Sequence, residues 1–391
     1  MRLVDVCAFL SPDGGGVRTY IAQKLRIIPQ FGHDLTIIAP GDRAEVIEHG
    51  PRARVVYLPS PRLPVDRKYW YFDDEVVLHA ALTAARPHFV EVSSPWRSAA
   101  MVARWPGAAP RALVMHADPL SAYAYRWFEP LPREVVDRGF ERFWAHLRAL
   151  SADYEAVICA NRELTERLRA GGVANAVLEP MGVEAETFSR RLRDPELRAR
   201  MLALCGLGPE ADLLIGIGRL AVEKRWPLVI DAVARASQHR PIGLVILGEG
   251  SQRAKVLKQI AGNPHIRLLE PIRDRAAFAA VLASADALIH GCEAETFCLA
   301  AAEARASGLR LVVPDRGGAA DHATGGFGAT YAAGSARAAA EAVEAALALP
   351  VPPDVPVRTM RDHFADLLMR YGAIIAAAEA SVGGAALKPA A

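Results

Sequence analysis

The chain has 391 residues, room for two domains of ordinary size. Hydrophobic residues make up 52% and charged residues 23%, which supports a large core and excludes a disordered chain. The 46 Lys and Arg residues against 44 Asp and Glu residues leave a net charge of +2, which argues against the basic stripe of a nucleic-acid-binding protein.

Strand and helix signals alternate from the start. Residues 2–9 read as a short buried strand, 11–16 as a loop ending in Gly14-Gly15-Gly16, and Val17 to Ile28 as a helix. Leu35–Ala39 reads as a second strand, and apolar runs at 54–58, 88–92, 111–116 and 155–160 continue the series. Segment 133–150 sets Val136, Phe140, Phe143, Trp144, Leu147 and Leu150 at helical spacing and predicts one amphipathic helix. Val183–Pro209 holds no clear strand and marks a connection between domains. A second series follows: strands at Leu213–Ile217, Leu244–Leu247, His265–Leu269, Ala287–His290 and Arg310–Val313, with a helix at Pro227–Ala236. Arg361 to Ala378 is the last helix, and Gly383–Ala391 reads as a frayed tail. Alternating βα units predict two doubly wound α/β domains facing across a cleft, residues 1–182 and 195–355, with ligands at the carboxyl ends of the strands.

Cys7, Cys159, Cys205, Cys292 and Cys298 are scattered without a CxxC pair, as expected of free thiols in a reducing compartment. Asp5 interrupts any signal-peptide core, and no apolar run is long enough for a membrane span. A soluble, cytoplasmic protein is expected.

Four loops carry groups suited to chemistry. Gly14-Gly15-Gly16 lets backbone amides approach an anion at a helix start. Gly218-Arg219-Leu220-Ala221-Val222-Glu223-Lys224 follows a strand, and its Arg219 and Lys224 can clamp a diphosphate. Glu295-Thr296-Phe297-Cys298-Leu299 leads into an Ala-rich helix whose first amides suit a phosphate. Glu295 precedes that helix and Glu303 lies inside it, each able to accept from sugar hydroxyls, with Arg219 and Lys224 offsetting their charge. His116 ends a hydrophobic strand, with Asp118 near enough in sequence to orient it or to cap the next segment. The histidines form no metal-ligand spacing; neither a Gly-x-Ser-x-Gly nor a Walker sequence occurs.

In order along the chain these residues resemble the retaining, metal-independent glycosyltransferases of family 4 (GT4), which have the GT-B fold of two Rossmann-like domains. The resemblance rests on Gly15-Gly16, Gly32-His33-Asp34, His116, and Glu179-Pro180-Met181-Gly182-Val183 ending in Phe188. It continues through Gly218-Arg219 with Glu223-Lys224, Gly248-Glu249-Gly250, and the Glu-x7-Glu pair Glu295 and Glu303. Gly308, Pro314 and Gly317-Gly318 complete it.

The resemblance implies a hexosyltransferase using a UDP- or GDP-linked sugar donor and no metal cofactor. Arg219 and Lys224 would bind the donor diphosphate, helped by the amides of Phe297, Cys298 and Leu299 and by Gly15 and Gly16. Glu295 would hold donor-sugar hydroxyls, Glu303 the ribose, and His116 the sugar near its anomeric carbon. The catalytic set is then His116, Arg219, Lys224 and Glu295. The C-terminal helix, about 360–380, would pack back on the first domain. Cys298 stands where the family has Gly, and His290-Gly291 where Pro-Ser is common.

A glycolipid, polysaccharide intermediate or other small saccharide is the implied acceptor. Two aromatic-basic clusters, Pro61–Asp74 and Tyr123–Phe128, could dock a sugar face or a lipid headgroup, which leaves open peripheral contact with the inner face of the cytoplasmic membrane. The alternatives on the same fold are a sugar-nucleotide epimerase, a phosphorylase, or a non-catalytic nucleotide-sugar-binding module. An NAD-dependent dehydrogenase would need a GxGxxG that the chain lacks.

Overall fold

The structure is a computed structural model and describes residues 1–10, 15–64, 67–93, 95–129 and 131–385. Gly14 and the last residues of the expected tail lie outside the described residues. The chain divides into two units. One comprises residues 1–117, 124–180 and 360–391; the other comprises 118–123 and 181–359.

The first unit contains β1 (Arg2–Cys7), β2 (Asp34–Gly41), β3 (Glu45–Glu48), β4 (Ala53–Pro59), β5 (Phe89–Ser93), β6 (Arg111–Val114), β7 (Ala156–Cys159) and β8 (Ala176–Leu178). They form one sheet in the order β3-β4-β2-β1-β5-β6-β7-β8, parallel except for the β3–β4 pair. β1, β5 and β7 are buried along almost their whole length, as strands covered on both faces must be. The expected single helix at 133–150 is two, Arg133–Gly139 and Glu141–Ser151, broken at Phe140 (φ −103°, ψ 24°). Gly139, the residue before the break, is a poor helix former, and the second helix starts on its own acidic first turn at Glu141.

The second unit contains β9 (Asp212–Ile217), β10 (Ile242–Leu247), β11 (Ile266–Leu269), β12 (Ala287–Ile289), β13 (Arg310–Pro314) and β14 (Gly328–Tyr331). The order is β11-β10-β9-β12-β13-β14, all parallel, which is the Rossmann order. Its core lies on both faces of the sheet. In β12, Ala287 and Ile289 face one cluster with Trp226, Val229 and Val233, and Leu288 faces the other with Ala301, Ala304 and Phe278. The sheet reverses direction between β9 and β12. The loops following those two strands therefore adjoin at the switch point, where open α/β sheets bind ligands.

Apart from the short excursion Asp118–Tyr123, the chain passes from the first unit to the second between Pro180 and Met181 and returns between Thr359 and Met360. Val183 donates its amide to the Arg358 carbonyl at 3.0 Å and bridges to Thr359. Much of the segment read as a connection is core of the second unit: Phe188, Met201, Leu202 and Cys205 are buried there. The last helix is Met360–Ala385, longer than expected, and Phe364 and Tyr371 are buried within the first unit. No helix is long and apolar enough to cross a membrane among the described residues. All five cysteines are buried and none is in a disulfide.

Candidate active site

The loop after β9 is pinned from below. Trp226 donates its indole N–H to the Arg219 carbonyl at 2.8 Å, and the Leu220 amide donates to Glu249 at 2.7 Å. This fixes the backbone while leaving Arg219 outside: its guanidinium is 61% exposed and pairs with Glu223 at 2.9 Å. Lys224 turns inward from a 3-10 turn, and its ammonium donates to Glu295 Oε1. Arg225 takes a left-handed conformation (φ 48°) and forks onto Glu293, with Nε at 2.8 Å from Oε2 and 3.0 Å from Oε1. Two neighbouring cations thus tie the β9 loop to two carboxylates of the β12 loop. The Arg225–Glu293 pair is absent from the sequence reading; its only signal was the Glu-x-Glu run at 293–295 opposite Lys224-Arg225.

Glu295 is the electrostatic centre. Burial would raise its pKa, but Lys224 and His290 hold the carboxylate well below the ordinary range. Burial alone would also lower the Lys224 pKa; Glu295 reverses this and raises it. Both groups are therefore charged at any physiological pH. His290 is buried with Nε2 3.3 Å from the same Glu295 oxygen, and its carbonyl accepts from the Tyr331 hydroxyl at 2.7 Å. His290 here contacts Glu295 rather than merely filling the core.

The helix Leu299–Ala306 begins one residue after Cys298, whose carbonyl accepts from the Ala301 and Ala302 amides at 3.1 Å. Helix geometry leaves the amides before Ala301, including Leu299, without an intrahelical acceptor. Cys298 sits at φ 68°, the left-handed conformation that favours the glycine usual in the family. Two glycines cradle this loop. A Cβ on Gly317 (φ 71°) would meet the Glu293 carbonyl oxygen at 2.5 Å, and one on Gly318 would meet the Phe297 backbone at 2.6 Å. Gly318 donates its amide to the Glu295 carbonyl at 2.7 Å. His322 Nε2 donates to the Phe297 carbonyl at 2.7 Å, so that nitrogen carries the proton. Phe297 packs edge-on against the His322 ring.

Glu303 lies one turn further along the same helix, buried, 3.0 Å from Arg275. His290, Cys292 and Glu295 place three potential ligand atoms within 4.8 Å of one another. Lys224 already holds Glu295, and burial pushes the Cys292 thiol up to about 12, which disfavours the thiolate a metal needs.

Gly15, Gly16 and His116 belong to the first unit. Gly15 caps the exposed start of the helix Gly16–Ile27. His116 follows β6 and lies edge-on to Tyr20 at 4.9 Å; burial depresses it to about 4, with Glu91 working against the shift, so it is neutral. The Asp118 carboxylate accepts from Ser121 Oγ at 2.5 Å and from the Ser121 amide at 3.3 Å, which caps the segment after it. Of the aromatic clusters, Phe72 and Tyr125 are buried, whereas Trp127 and Phe128 are exposed.

Two Rossmann-type units with this cation–carboxylate arrangement at a switch point define a GT-B glycosyltransferase. Residues 15–184 match the family described as glycosyl transferase 4-like domain, and residues 206–362 match glycosyl transferases group 1. The chain belongs to the GT4 family of nucleotide-sugar glycosyltransferases. It is 33% identical over 318 residues to a GDP-mannose-dependent α-(1-6)-phosphatidylinositol dimannoside mannosyltransferase of Mycobacterium tuberculosis, covering 80% of this chain and 79% of that one. It is 27% identical over 338 residues to a GDP-mannose-dependent α-mannosyltransferase of the same species, covering 83% of each. Sucrose-phosphate synthase from Thermosynechococcus elongatus superposes with a TM-score of 0.70 at 16% identity, over 89% of this chain and 90% of that one.

Proposed function

We propose that this glycosyltransferase moves mannose from GDP-mannose to a glycolipid or saccharide acceptor, with retention of the anomeric configuration and without a metal. GDP-mannose is the donor named for both mycobacterial relatives, and a phosphatidylinositol dimannoside is the acceptor named for the first. The observation that carries the chemistry is the inward-turned Lys224, paired to Glu295 beside the start of the helix Leu299–Ala306.

Sugar transfer develops negative charge on the departing diphosphate. Lys224 and the first-turn amides are fixed donors suited to that charge and do the work a divalent ion does elsewhere. Arg219 adds a second cation once it exchanges Glu223 for phosphate. Glu295, held ionised, accepts from donor-sugar hydroxyls, and Glu303 accepts from the ribose diol. The resemblance assigns donor-binding roles to Gly15, Gly16 and His116 as well. Retention follows the family pattern of same-face attack, in which the leaving phosphate takes the acceptor proton. That course needs no pair of carboxylates flanking the bond.

The test is turnover of labelled GDP-mannose, with UDP-glucose in parallel, on phosphatidylinositol mannosides and free mannosides. An α-linked product formed in the presence of EDTA supports the proposal. A β-linked product, or activity restored only by a divalent ion, overturns the retaining or metal-free part. Isomerised sugar nucleotide without transfer indicates an epimerase, phosphate-dependent release of hexose 1-phosphate a phosphorylase, and binding without turnover a sugar-nucleotide-binding module.

A further inference from the structure

Glu303 and Arg275 raise a question that the donor reading leaves open. A carboxylate on the buried face of a helix, between Ala302 and Ala304, must have a partner. The partner is Arg275, the first residue of the helix Arg275–Ser284, with Nη2 at 3.0 Å from Glu303 Oε1. A cation in the first turn opposes the helix dipole, so this placement is not explained by the helix itself. The same Nη2 lies 2.5 Å from Glu184 Oε2, and the guanidinium lies over the Phe188 ring at 4.7 Å. The Glu184 carbonyl accepts from the Thr187 and Phe188 amides at 2.9 and 3.0 Å. Glu184 follows Val183, the residue bridged to Thr359 where the chain enters and leaves this unit.

We propose that Arg275 is a positioning residue that favours the ionised form of Glu303 and aims it for a vicinal diol, and that Glu184 anchors Arg275 to the segment joining the two units. The proposal rests on the reading of Glu303 as the ribose acceptor. An ionised carboxylate accepts from both hydroxyls of a cis-diol; a protonated one must donate with one oxygen. Burial raises the Glu303 carboxyl and Glu184 adds to the rise, while Arg275 holds the net result to about 7. Arg275 and Glu184 are the charged groups facing Glu303 among the described residues. Without Arg275, burial and the Glu184 charge act unopposed, and Glu303 holds a proton at neutral pH.

The experiment compares binding of GDP and 2′-deoxy-GDP to the whole protein by calorimetry at pH 7 and pH 9, with UDP and 2′-deoxy-UDP in parallel. The wild type is expected to prefer the ribonucleotide by about tenfold, the scale of a hydrogen bond to a charged group. Arg275→Met should lose that preference at pH 7 and regain it at pH 9, and Arg275→Lys should keep part of it at pH 7. Turnover at saturating donor should change far less than the donor KM in Arg275→Met. A preference that survives at pH 7 in Arg275→Met, or one lost equally at both pH values, overturns the proposal. Glu303→Gln separates the two layers. If it leaves the preference intact, the ribose reading itself fails. If it abolishes the preference while Arg275→Met does not, only the role of Arg275 fails. Arg275 is partly exposed, and thermal denaturation of each variant reports folding independently.

Discussion

Tyr371 donates its hydroxyl to Glu91 Oε2 at 2.7 Å, joining the C-terminal helix to the middle of the first sheet. Glu91 is not alone there. Lys24 lies 2.6 Å from Glu91 Oε1 and donates to Asp5 Oδ2 at 2.9 Å, and all three charged side chains are fully buried. Asp5 and Glu91 are register partners on β1 and β5, so Lys24 bridges two strands from the helix above them. Tyr371 also stacks on Phe89 at 4.0 Å. Tyr20, one turn before Lys24, touches both His116 and His363 of the C-terminal helix. The His363 Nδ1 donates to the Pro180 carbonyl at 3.0 Å, which leaves Nε2 to accept from Tyr20 at 3.2 Å.

Removing the Tyr371 hydroxyl leaves a buried carboxylate oxygen without its donor. Tyr371→Phe is expected to destabilise by about 2 kcal/mol, the value of a buried charge-assisted hydrogen bond. Lys24→Met leaves two buried carboxylates facing each other and should cost about 3–5 kcal/mol. Chemical denaturation measures both. Equal, small losses for the two variants would show that the Lys24 bridge contributes little.

The pH dependence of stability has opposing parts. His322 is held at about 4 by burial, against the pull of its bond to Phe297. The unfolded chain binds that proton near 6.5, so this contribution is intact above pH 6.5 and is lost as pH falls toward 4. Glu303, raised to about 7, and Asp5, raised to about 6, have the opposite sign: each gains stability as pH falls through those values. A wild-type profile mixes these groups with His116, which burial also holds at about 4. His322→Gln keeps a side-chain N–H for the Phe297 carbonyl and removes the titration. The Tm difference between His322→Gln and wild type should therefore grow more positive from pH 6.5 to pH 4. A constant difference over that range would exclude His322 as the titrating group.

Legibility in the sequence followed the range of the interaction. Most strands and the site loops were readable because strand, glycine or charged loop, and helix occur within a few dozen residues. β3, with four largely exposed residues, the three-residue β8, and the Gly-Ala-Thr-Tyr strand β14 carry no strong apolar run. Lys24 reads as an ordinary helix cation because its partners arrive through sheet register, and Arg275 because its carboxylates belong to two other elements. Glu295 and Lys224 were found because a sequence motif names them together; their ion pair was not deducible from spacing across 71 residues.

Lys224→Ala should lower turnover of the nucleotide-sugar donor by about 10²-fold or more, as for loss of a group that stabilises developing charge. Glu295→Ala should match it, since it removes the proposed sugar contact and frees Lys224 from its anchor. Arg219→Ala should be milder, because this side chain is exposed and is paired with Glu223 before donor binds. Steady-state kinetics at saturating donor decide the ranking. Near-normal turnover in both Lys224→Ala and Glu295→Ala would refute the assignment of this site.

The exposed apolar side chains after β6 bear on the acceptor. Trp127 is 65% exposed, Leu131 48%, Phe128 44% and Val135 39%, while Tyr125 just before them is buried and bonded to Asp137. The aromatic cluster is thus sorted by the fold: one ring anchors the segment, and the others face outward. Large apolar side chains presented this way partition into a headgroup interface, each adding a modest share of the binding free energy. Net charge near zero means that apolar insertion, rather than long-range attraction, would carry the contact. Wild type should therefore float with phosphatidylcholine vesicles and gain only modestly from added phosphatidylinositol. Trp127→Ser combined with Phe128→Ser and Leu131→Ser should weaken vesicle partition by about tenfold. The same variant should keep its turnover on a water-soluble mannoside, because none of the three residues is placed at the donor. Unchanged flotation, or equal loss of activity on lipid and soluble acceptors, would count against a membrane role for this segment.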